Sequence, residues 1–154
     1  LGWAVGAPAG GWLSDRIGKR RPILICGSAL VCVSLTVLIF APNLPLVLSV
    51  GLFILIGLAG GFMACCFALV REVMPTQIVG GATGIVNSLT VASGAVLQPL
   101  VGWMLDLQWR GELEGNAPVY DASDYRTAFI LVLVSAVLGL MMCWRLKESE
   151  KVTF

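Results

Sequence analysis

Four apolar runs, each about as long as a helix that crosses a membrane, constrain this sequence more than any other feature. A helix needs roughly 20 mainly apolar residues to cross about 30 Å of hydrocarbon. Runs of that length occupy residues 23–41, 46–70, 78–105 and 127–144. Only 12% of the 154 residues are charged and 58% are hydrophobic, whereas about 25% of the residues in a soluble domain are charged. The sequence therefore predicts a protein embedded in a membrane.

The runs are predicted to be helices, because a helix pairs all of its own backbone amides and an unpaired amide is costly in lipid. None of them shows the alternating pattern of a barrel strand. A fifth apolar run, residues 1–13, is too short to cross a bilayer. We expect it to be the end of a helix that begins before the sequence given. The predicted fold class is an all-α, polytopic membrane helix bundle.

The charged residues lie between these runs and predict an orientation. Eight of the ten Lys and Arg residues fall in three segments that successive crossings bring to one side. They are Arg16, Lys19, Arg20, Arg21, Arg71, Arg145, Lys147 and Lys151. The segment 106–126, on the other side, contains more acidic than basic residues. Because cytoplasmic loops are enriched in Lys and Arg, the cationic side and the C-terminus are predicted to be cytoplasmic.

The sequence shows no constellation of catalytic or metal-binding residues. It has no histidine, and its five cysteines all lie inside apolar runs, where we interpret them as packing residues. No nucleophile is accompanied by a base, and there is no phosphate-binding loop. A net charge of +1 does not favour nucleic acid as a partner. We therefore expect neither an enzyme nor a bound cofactor or metal.

One short loop brings charged residues together with glycines. The stretch GGWLSDRIGKRRP, residues 10–22, has the spacing Gly-x-x-x-Asp-Arg-x-Gly-Lys-Arg. Its defining residues are Gly11, Asp15, Arg16, Gly18, Lys19 and Arg20. The preference of Lys and Arg for cytoplasmic loops would explain the cations of this stretch, but not its aspartate or its glycines. We expect Gly11 to let neighbouring helices approach, Gly18 to permit a turn that a side chain would strain, and Asp15 to lie against a helix N-terminus.

This loop resembles the loop signature of the major facilitator superfamily and matches it at every specified position. In that family the signature lies between the second and third helices of each six-helix half. The resemblance implies that the aspartate faces a helix of the opposite half. It also implies that a cation of the motif meets an acid at the cytoplasmic end of a helix in its own half. That acid would be Glu72, with Lys19 or Arg16 as its partner; the alternative is a solvated Glu72 beside Arg71.

The resemblance also implies a number for each helix. The chain would be a partial C-terminal half of a twelve-helix fold, and the missing N-terminal half of the same transporter would be its partner. The expected segments are the end of helix eight (1–13), the signature loop (14–22), helix nine (23–41), helix ten (46–70), a cytoplasmic loop (71–77), helix eleven (78–105), an external loop (106–126), helix twelve (127–144) and a cytoplasmic tail (145–154).

Helix eleven carries a polar stripe. At about 100° per residue, Thr83, Asn87, Thr90, Gly94 and Gln98 fall on one side of it. A polar side chain in a membrane span usually faces the bundle interior or a cavity. Asn87, Thr90 and Gln98 are therefore candidates for lining a substrate path, and hydrogen bonds between helices are the alternative.

Small residues recur at fourfold spacing and predict close contacts between helices. They are Gly2, Gly6 and Gly10 in the first run, Gly57 and Gly61 in helix ten, and Gly80, Gly84, Ser88 and Ala92 in helix eleven.

The resemblance implies a secondary active transporter that works by alternating access. We expect proton-coupled uptake of a small polar or anionic metabolite across a bacterial cytoplasmic membrane. The partners would be the lipid bilayer, a small-molecule substrate and a proton, whose binding residue would lie outside the sequence given because no complete span contains an acid or base. Proton-coupled efflux of drugs or metabolites, and a sensor or scaffold of the same fold that does not transport, remain open as alternatives. The signature loop favours movement, and hence transport.

Overall fold

The protein is a bundle of helices. Its structure, a computed structural model, describes residues 1–41, 43–115 and 117–146. Its elements are α1 (Gly2–Ile17), α2 (Arg21–Phe40), α3 (Leu46–Gly61), α4 (Ala64–Val73), α5 (Val79–Gln108), β1 (Leu113–Glu114), β2 (Ala117–Pro118) and α6 (Ala122–Arg145). The expected cytoplasmic tail lies outside the described residues from position 147 onward.

The helices have the length and surface of membrane spans. In the described part of the chain, the stretches that are long and apolar enough to cross a bilayer are Arg21–Phe40, Leu46–Val73, Val79–Gln108 and Ala122–Arg145. Large apolar side chains are exposed along all of these helices, as expected for surfaces in contact with lipid rather than water. The predicted all-α membrane class is confirmed.

The apolar run 46–70, predicted as a single span, lies within one candidate span, Leu46–Val73, that consists of two consecutive helices, α3 and α4. The division falls at Phe62 and Met63, whose backbone N–H groups bond to carbonyls three residues earlier, at 3.1 Å in each case. Such bonds tighten the chain into a 3₁₀-type turn. Gly60 and Gly61 immediately precede this turn, and their conformational freedom lowers the cost of leaving the α-helical path.

The last two helices extend beyond the predicted apolar spans. α5 continues to Gln108, and α6 begins at Ala122 rather than at 127. In the first turn of α6, the Asp124 carboxylate accepts a hydrogen bond from the N–H of Asp121 at 2.9 Å. Between these helices β1 and β2 pair as a short antiparallel hairpin. Hydropathy marks only the part of a helix inside hydrocarbon, so polar helix ends escape it.

Glycines allow α1 and α3 to pack closely, as the fourfold spacing predicts. A Cβ atom on Gly6 would overlap the backbone of Leu58, and one on Gly61 would lie 2.9 Å from the Cα of Gly6. The stripe on α5 behaves differently, because a Cβ on Gly80 or Gly84 would meet nothing within 4 Å in the described part of the chain. The glycines of α1 and α3 therefore pack against each other, whereas no described residue lies close to Gly80 or Gly84 of α5.

Further contacts connect α2, α5 and α6 to the rest of the bundle. α2 packs on α3 and α6, and α5 packs on α6 and α4. A small apolar core consisting of Ile23, Leu24, Phe62 and Cys65 joins the start of α2 to the division between α3 and α4. This core positions the signature loop beside the end of α4.

Candidate functional site

The candidate site begins with the turn that ends α1. Gly18 adopts the left-handed conformation, with φ 73° and ψ 14°, and its N–H bonds to the Ser14 carbonyl at 2.9 Å. A side chain would be strained there. The Ser14 hydroxyl is fully buried and donates to the carbonyl of Lys19 at 3.2 Å. This bond holds the signature loop against α1.

Arg20 is the centre of an ionic cluster that joins α1 to α4. Its Nε and Nη2 groups donate to Oε1 of Glu72 at 3.0 and 2.8 Å. Its Nη1 group donates to the Ser14 hydroxyl at 2.9 Å and lies 2.6 Å from Oδ1 of Asp15. We call Ser14, Asp15, Arg20 and Glu72 the Arg20 cluster. It ties two helices that are separated by more than 50 positions in the chain.

The two carboxylates of the cluster differ in exposure. The Arg20 side chain is 14% exposed and that of Glu72 is 30% exposed, whereas that of Asp15 is 68% exposed. Ionic hydrogen bonds strengthen where water is excluded. The contact with Glu72 is therefore the stronger of the two, and Asp15 keeps most of its surface available to another partner.

The charge of Arg20 is stable. The hydrogen bond to Glu72 is the main reason that the pKa of Arg20 lies above its ordinary value; burial lowers this pKa by less than Glu72 raises it, and Asp15 raises it further. The guanidinium therefore remains charged at any physiological pH. Arg20 therefore supplies a permanent positive charge to the Arg20 cluster.

The partner of Glu72 corrects the sequence prediction, which names Lys19 or Arg16. Arg20 occupies that place. The Arg16 guanidinium lies 5.3 Å from the centre of the Trp12 ring, in a cation–π contact on the outside of α1. Lys19 is exposed. The turn after α1 directs Arg20 inward, which spacing within a motif cannot reveal.

The close helix approach expected at Gly11 stays a prediction. A Cβ on Gly11 would meet nothing within 4 Å among the described residues, and the close approach to α3 is made by Gly10. Gly11 belongs instead to an open stripe of α1 that, at about 100° per residue, continues through Ala4 and Pro8 to Asp15. This stripe is small and ends in a carboxylate.

An open cavity adjoins the Arg20 cluster between α4 and α5. Its volume is about 640 Å³. The charged residues Arg20, Arg71 and Glu72 line it, together with Thr83 from the start of α5. The cavity therefore connects the ionic cluster to the helix that carries the polar stripe.

α5 presents three different faces when its residues are placed about 100° apart. One face packs on α4 and α6 and includes Thr83, Val86, Thr90, Gly94 and Leu97. A second face is exposed and consists of the large apolar residues Ile85, Leu89, Val96, Leu100, Trp103 and Leu107. A third face, which we call the small polar face, is also exposed and consists of Gly84, Asn87, Ser88, Val91, Ala95 and Gln98. Only the second has the character of a lipid-facing surface.

The three candidates for the substrate path are divided between these faces. The Thr90 hydroxyl donates to the Val86 carbonyl at 2.9 Å, so its hydrogen bond is made within its own helix. Asn87 and Gln98 are exposed, and neither amide has a hydrogen-bond partner among the described residues. An unpaired amide in hydrocarbon is costly. Both amides therefore require a polar neighbour that the described residues do not supply.

Sequence reasoning missed two contacts of this site. Ser14 is a polar residue in an apolar helix and directly precedes Asp15, which could have indicated that it makes a buried hydrogen bond. No comparable signal indicates that Arg21 Nη2 donates to the Trp144 carbonyl at 2.6 Å. That bond links the signature loop to the end of α6, where helix carbonyls lack internal partners.

Comparison with known proteins matches residues 1–153 to the profile of the Major Facilitator Superfamily. The chain is 33% identical to the bovine solute carrier family 2, facilitated glucose transporter member 8, over 71% of its residues and 22% of the relative. It is 37% identical to the multidrug resistance protein MdtG of Proteus mirabilis, over 76% of the chain and 27% of the relative. It is 31% identical to the glucose transporter GlcP of Staphylococcus epidermidis, over 98% of the chain and 30% of the relative. The chain thus spans less than a third of the length of these relatives, and no solved structure matches it significantly.

Proposed function

Because this chain belongs to the major facilitator superfamily, we propose that it forms part of the C-terminal half of a secondary transporter that works by alternating access. In this proposal α1 is the end of helix eight, α2 is helix nine, α3 and α4 together are helix ten, α5 is helix eleven and α6 is helix twelve. The protein is then a transporter and not an enzyme, and its other half packs on the small stripe of α1 and faces the small polar face of α5 across the substrate path.

The observation that carries this proposal is the Arg20 cluster beside an open cavity. The cluster links α1 to α4 through hydrogen bonds to a single arginine, so relative movement of these helices breaks it. The exposed carboxylate of Asp15 is free to stabilise the N-terminus of a helix in the other half. Together these contacts would hold one state of the transport cycle until the substrate favours the other.

The small polar face of α5 supports a polar solute as the substrate. Asn87 and Gln98 offer amides that can both donate and accept hydrogen bonds, which suits the hydroxyl groups of a sugar. Residues 79–105 include no charged side chain, which favours an uncharged solute over an anionic one. Two of the relatives are named glucose transporters. We therefore propose uptake of a sugar-like solute, with any proton-binding residue outside the given sequence.

Drug efflux is the second candidate, favoured by the similarity to the multidrug resistance protein of Proteus mirabilis. An efflux pocket for apolar drugs would draw its binding free energy mainly from large apolar side chains. The small polar face lacks such residues apart from Val91, so uptake of a polar solute is the preferred proposal. In either case the cationic side of the bundle would face the cytoplasm of a bacterial cell.

Counterflow of labelled glucose into proteoliposomes that contain the full-length protein tests this proposal. Asn87→Leu and Gln98→Leu should each weaken the apparent affinity, by up to about tenfold for one lost hydrogen bond. Thr90→Val is the matched control, because the Thr90 hydroxyl bonds to its own helix, and it should leave the affinity unchanged. Unchanged affinity and lower thermal stability in both leucine variants would remove the two residues from the substrate path. Counterflow of labelled drugs but not of glucose would favour efflux, and counterflow of neither would favour a sensor or scaffold.

A further inference from the structure

A second cavity lies at the end of the bundle opposite the Arg20 cluster, between α2, α3 and α6. Its volume is about 370 Å³, which falls in the range of small-molecule sites. The apolar residues that line it include Leu35, Leu38, Ile39, Leu44, Phe53 and Phe129. Polar groups come from Asn43, Ser49, Tyr125 and Arg126. The cavity is therefore an apolar cleft with a cation among its lining residues.

Arg126 is the unusual member of this lining. Its segment, 106–126, contains one other cation, Arg110, which pairs with Asp121 at 3.1 Å. Arg126 is exposed and makes no ion pair with any residue in the part of the chain that the structure describes. A cation at the edge of an apolar cleft is complementary to a ligand that combines an anionic group with a hydrocarbon chain.

Aromatic residues beside Arg126 are of the kind found where membrane spans meet the lipid headgroups. The Tyr125 ring packs edge-on against Tyr120, with ring centres 6.0 Å apart, and stacks on Phe129 at 6.4 Å. These are the only two tyrosines in the sequence, and tyrosine is enriched where membrane spans meet the lipid headgroups. Arg126 directly follows Tyr125 and lines the same cleft, so we expect its guanidinium to lie near the lipid headgroups.

The cleft borders the lipid-facing surface of the bundle. Phe53 and Phe129 line it and are 64% and 40% exposed, and Phe40 and Val47, from the same end of α2 and α3, are 59% and 85% exposed. Such side chains are expected to contact hydrocarbon in a bilayer. A lipid could thus enter the cleft sideways from the membrane without crossing a polar surface.

We propose that this cleft binds an anionic phospholipid, with one acyl chain between α2, α3 and α6 and the phosphate at Arg126. In this proposal the apolar lining holds the acyl chain, and the Arg126 guanidinium binds the anionic phosphate. The two tyrosines are consistent with a position near the lipid headgroups. Guanidinium groups bind phosphate oxygens through paired hydrogen bonds. The site lies apart from the small polar face of α5, and the proposal does not depend on the transported solute.

Native mass spectrometry of the purified full-length protein tests this site, with added phosphatidylglycerol or phosphatidylcholine as the probe. The unchanged protein should retain one phosphatidylglycerol about fivefold more strongly than phosphatidylcholine, since a cation near a membrane surface contributes about that factor. Arg126→Gln should remove this preference. Arg110→Gln changes the neighbouring cation, which is paired and does not line the cleft, and should preserve it. Leu38→Trp should fill the cleft and reduce the retention of both lipids.

Three results would overturn the proposal. The first is equal retention of the two lipids by the unchanged protein. The second is the same loss of preference in Arg110→Gln and Arg126→Gln, which would indicate a general charge effect. The third is undiminished retention by a Leu38→Trp protein that still elutes as a single species, because the acyl chain would then lie elsewhere. Arg126→Gln alters an exposed side chain, so its result stands even where Leu38→Trp fails to fold.

Discussion

The Arg20 cluster predicts that Glu72 and Asp15 couple to Arg20 with unequal strength. Glu72 accepts two N–H groups of the guanidinium, and neither side chain is more than 30% exposed. A hydrogen bond between charged groups in such a setting contributes about 1.5–3 kcal/mol. Asp15, whose Oδ1 lies 2.6 Å from Nη1 of Arg20, is 68% exposed, so its pair falls in the range of surface ion pairs, about 0.2–1 kcal/mol.

A double-mutant cycle measures these coupling energies separately. Glu72→Gln, Asp15→Asn and Arg20→Gln would be made singly and in pairs in the full-length protein. The free energy of unfolding would be measured by titration with a denaturing detergent in mixed micelles. The coupling of Arg20 with Glu72 should exceed that with Asp15 by about 1 kcal/mol or more. Arg16→Gln is the matched control, because Arg16 lies over Trp12, and its coupling with Glu72 should be close to zero.

Equal couplings for the two acids, or a larger one for Asp15, would refute this reasoning, because exposure would then not determine the strength of each pair. A coupling between Arg16 and Glu72 as large as that of Arg20 would contradict the pairing itself. The same variants also separate stability from movement. Asp15→Asn should leave the free energy of unfolding nearly unchanged but slow transport, since its exposed carboxylate is the one proposed to face the other half.

Three further predictions concern orientation, packing and the turn after α1. In a cysteine-free background, a cysteine at Glu114 should react with an impermeant maleimide in intact cells, whereas one at Lys19 should react only after permeabilisation; the opposite pattern would reverse the orientation. Gly6→Ala should lower the free energy of unfolding by about 1–3 kcal/mol, because the Cβ of the new alanine would overlap the α3 backbone. Gly81→Ala is the control and should show no loss, because a Cβ at Gly81 would meet nothing within 4 Å in the described part of the chain. Gly18→Ala should cost about 1 kcal/mol through its left-handed conformation (φ 73°), and Gly18→Asn should recover part of that cost in the same unfolding assay; equal losses in both variants would point to a cause other than backbone strain.

Prediction of the site from the sequence succeeded in part. The family resemblance of the signature loop, rather than its spacing alone, implied that Glu72 meets a cation of the motif, and Arg20 is such a cation. It was not sufficient to choose Arg20 over Lys19 or Arg16. That choice depends on the direction of the chain after Gly18 and on the buried Ser14 hydroxyl, which fixes one guanidinium nitrogen.

The polar stripe of α5 shows a similar division. Periodicity grouped Thr90 with Asn87 and Gln98, because all three lie within one sector of the helix. Contact with α4 and α6 then separates a threonine whose hydrogen bond stays within its helix from two amides on an open face. A helical wheel describes angles around one axis and contains no information about which sectors the neighbouring helices cover.

Hydropathy and the positions of the charged residues were enough to predict the membrane class, the approximate spans and the bias of charge between the two sides. Each of these depends on the free energy of transferring individual residues between water and lipid, which is a property of the residues themselves. The folded bundle was needed to reveal the division between α3 and α4, the cation that meets Glu72 and the cleft that contains Arg126. These features depend on where distant segments meet, and contacts such as that between Arg20 and Glu72 span more than 50 positions. The packing of the whole bundle fixes such contacts, because no local pattern in the chain encodes the distance between two helices.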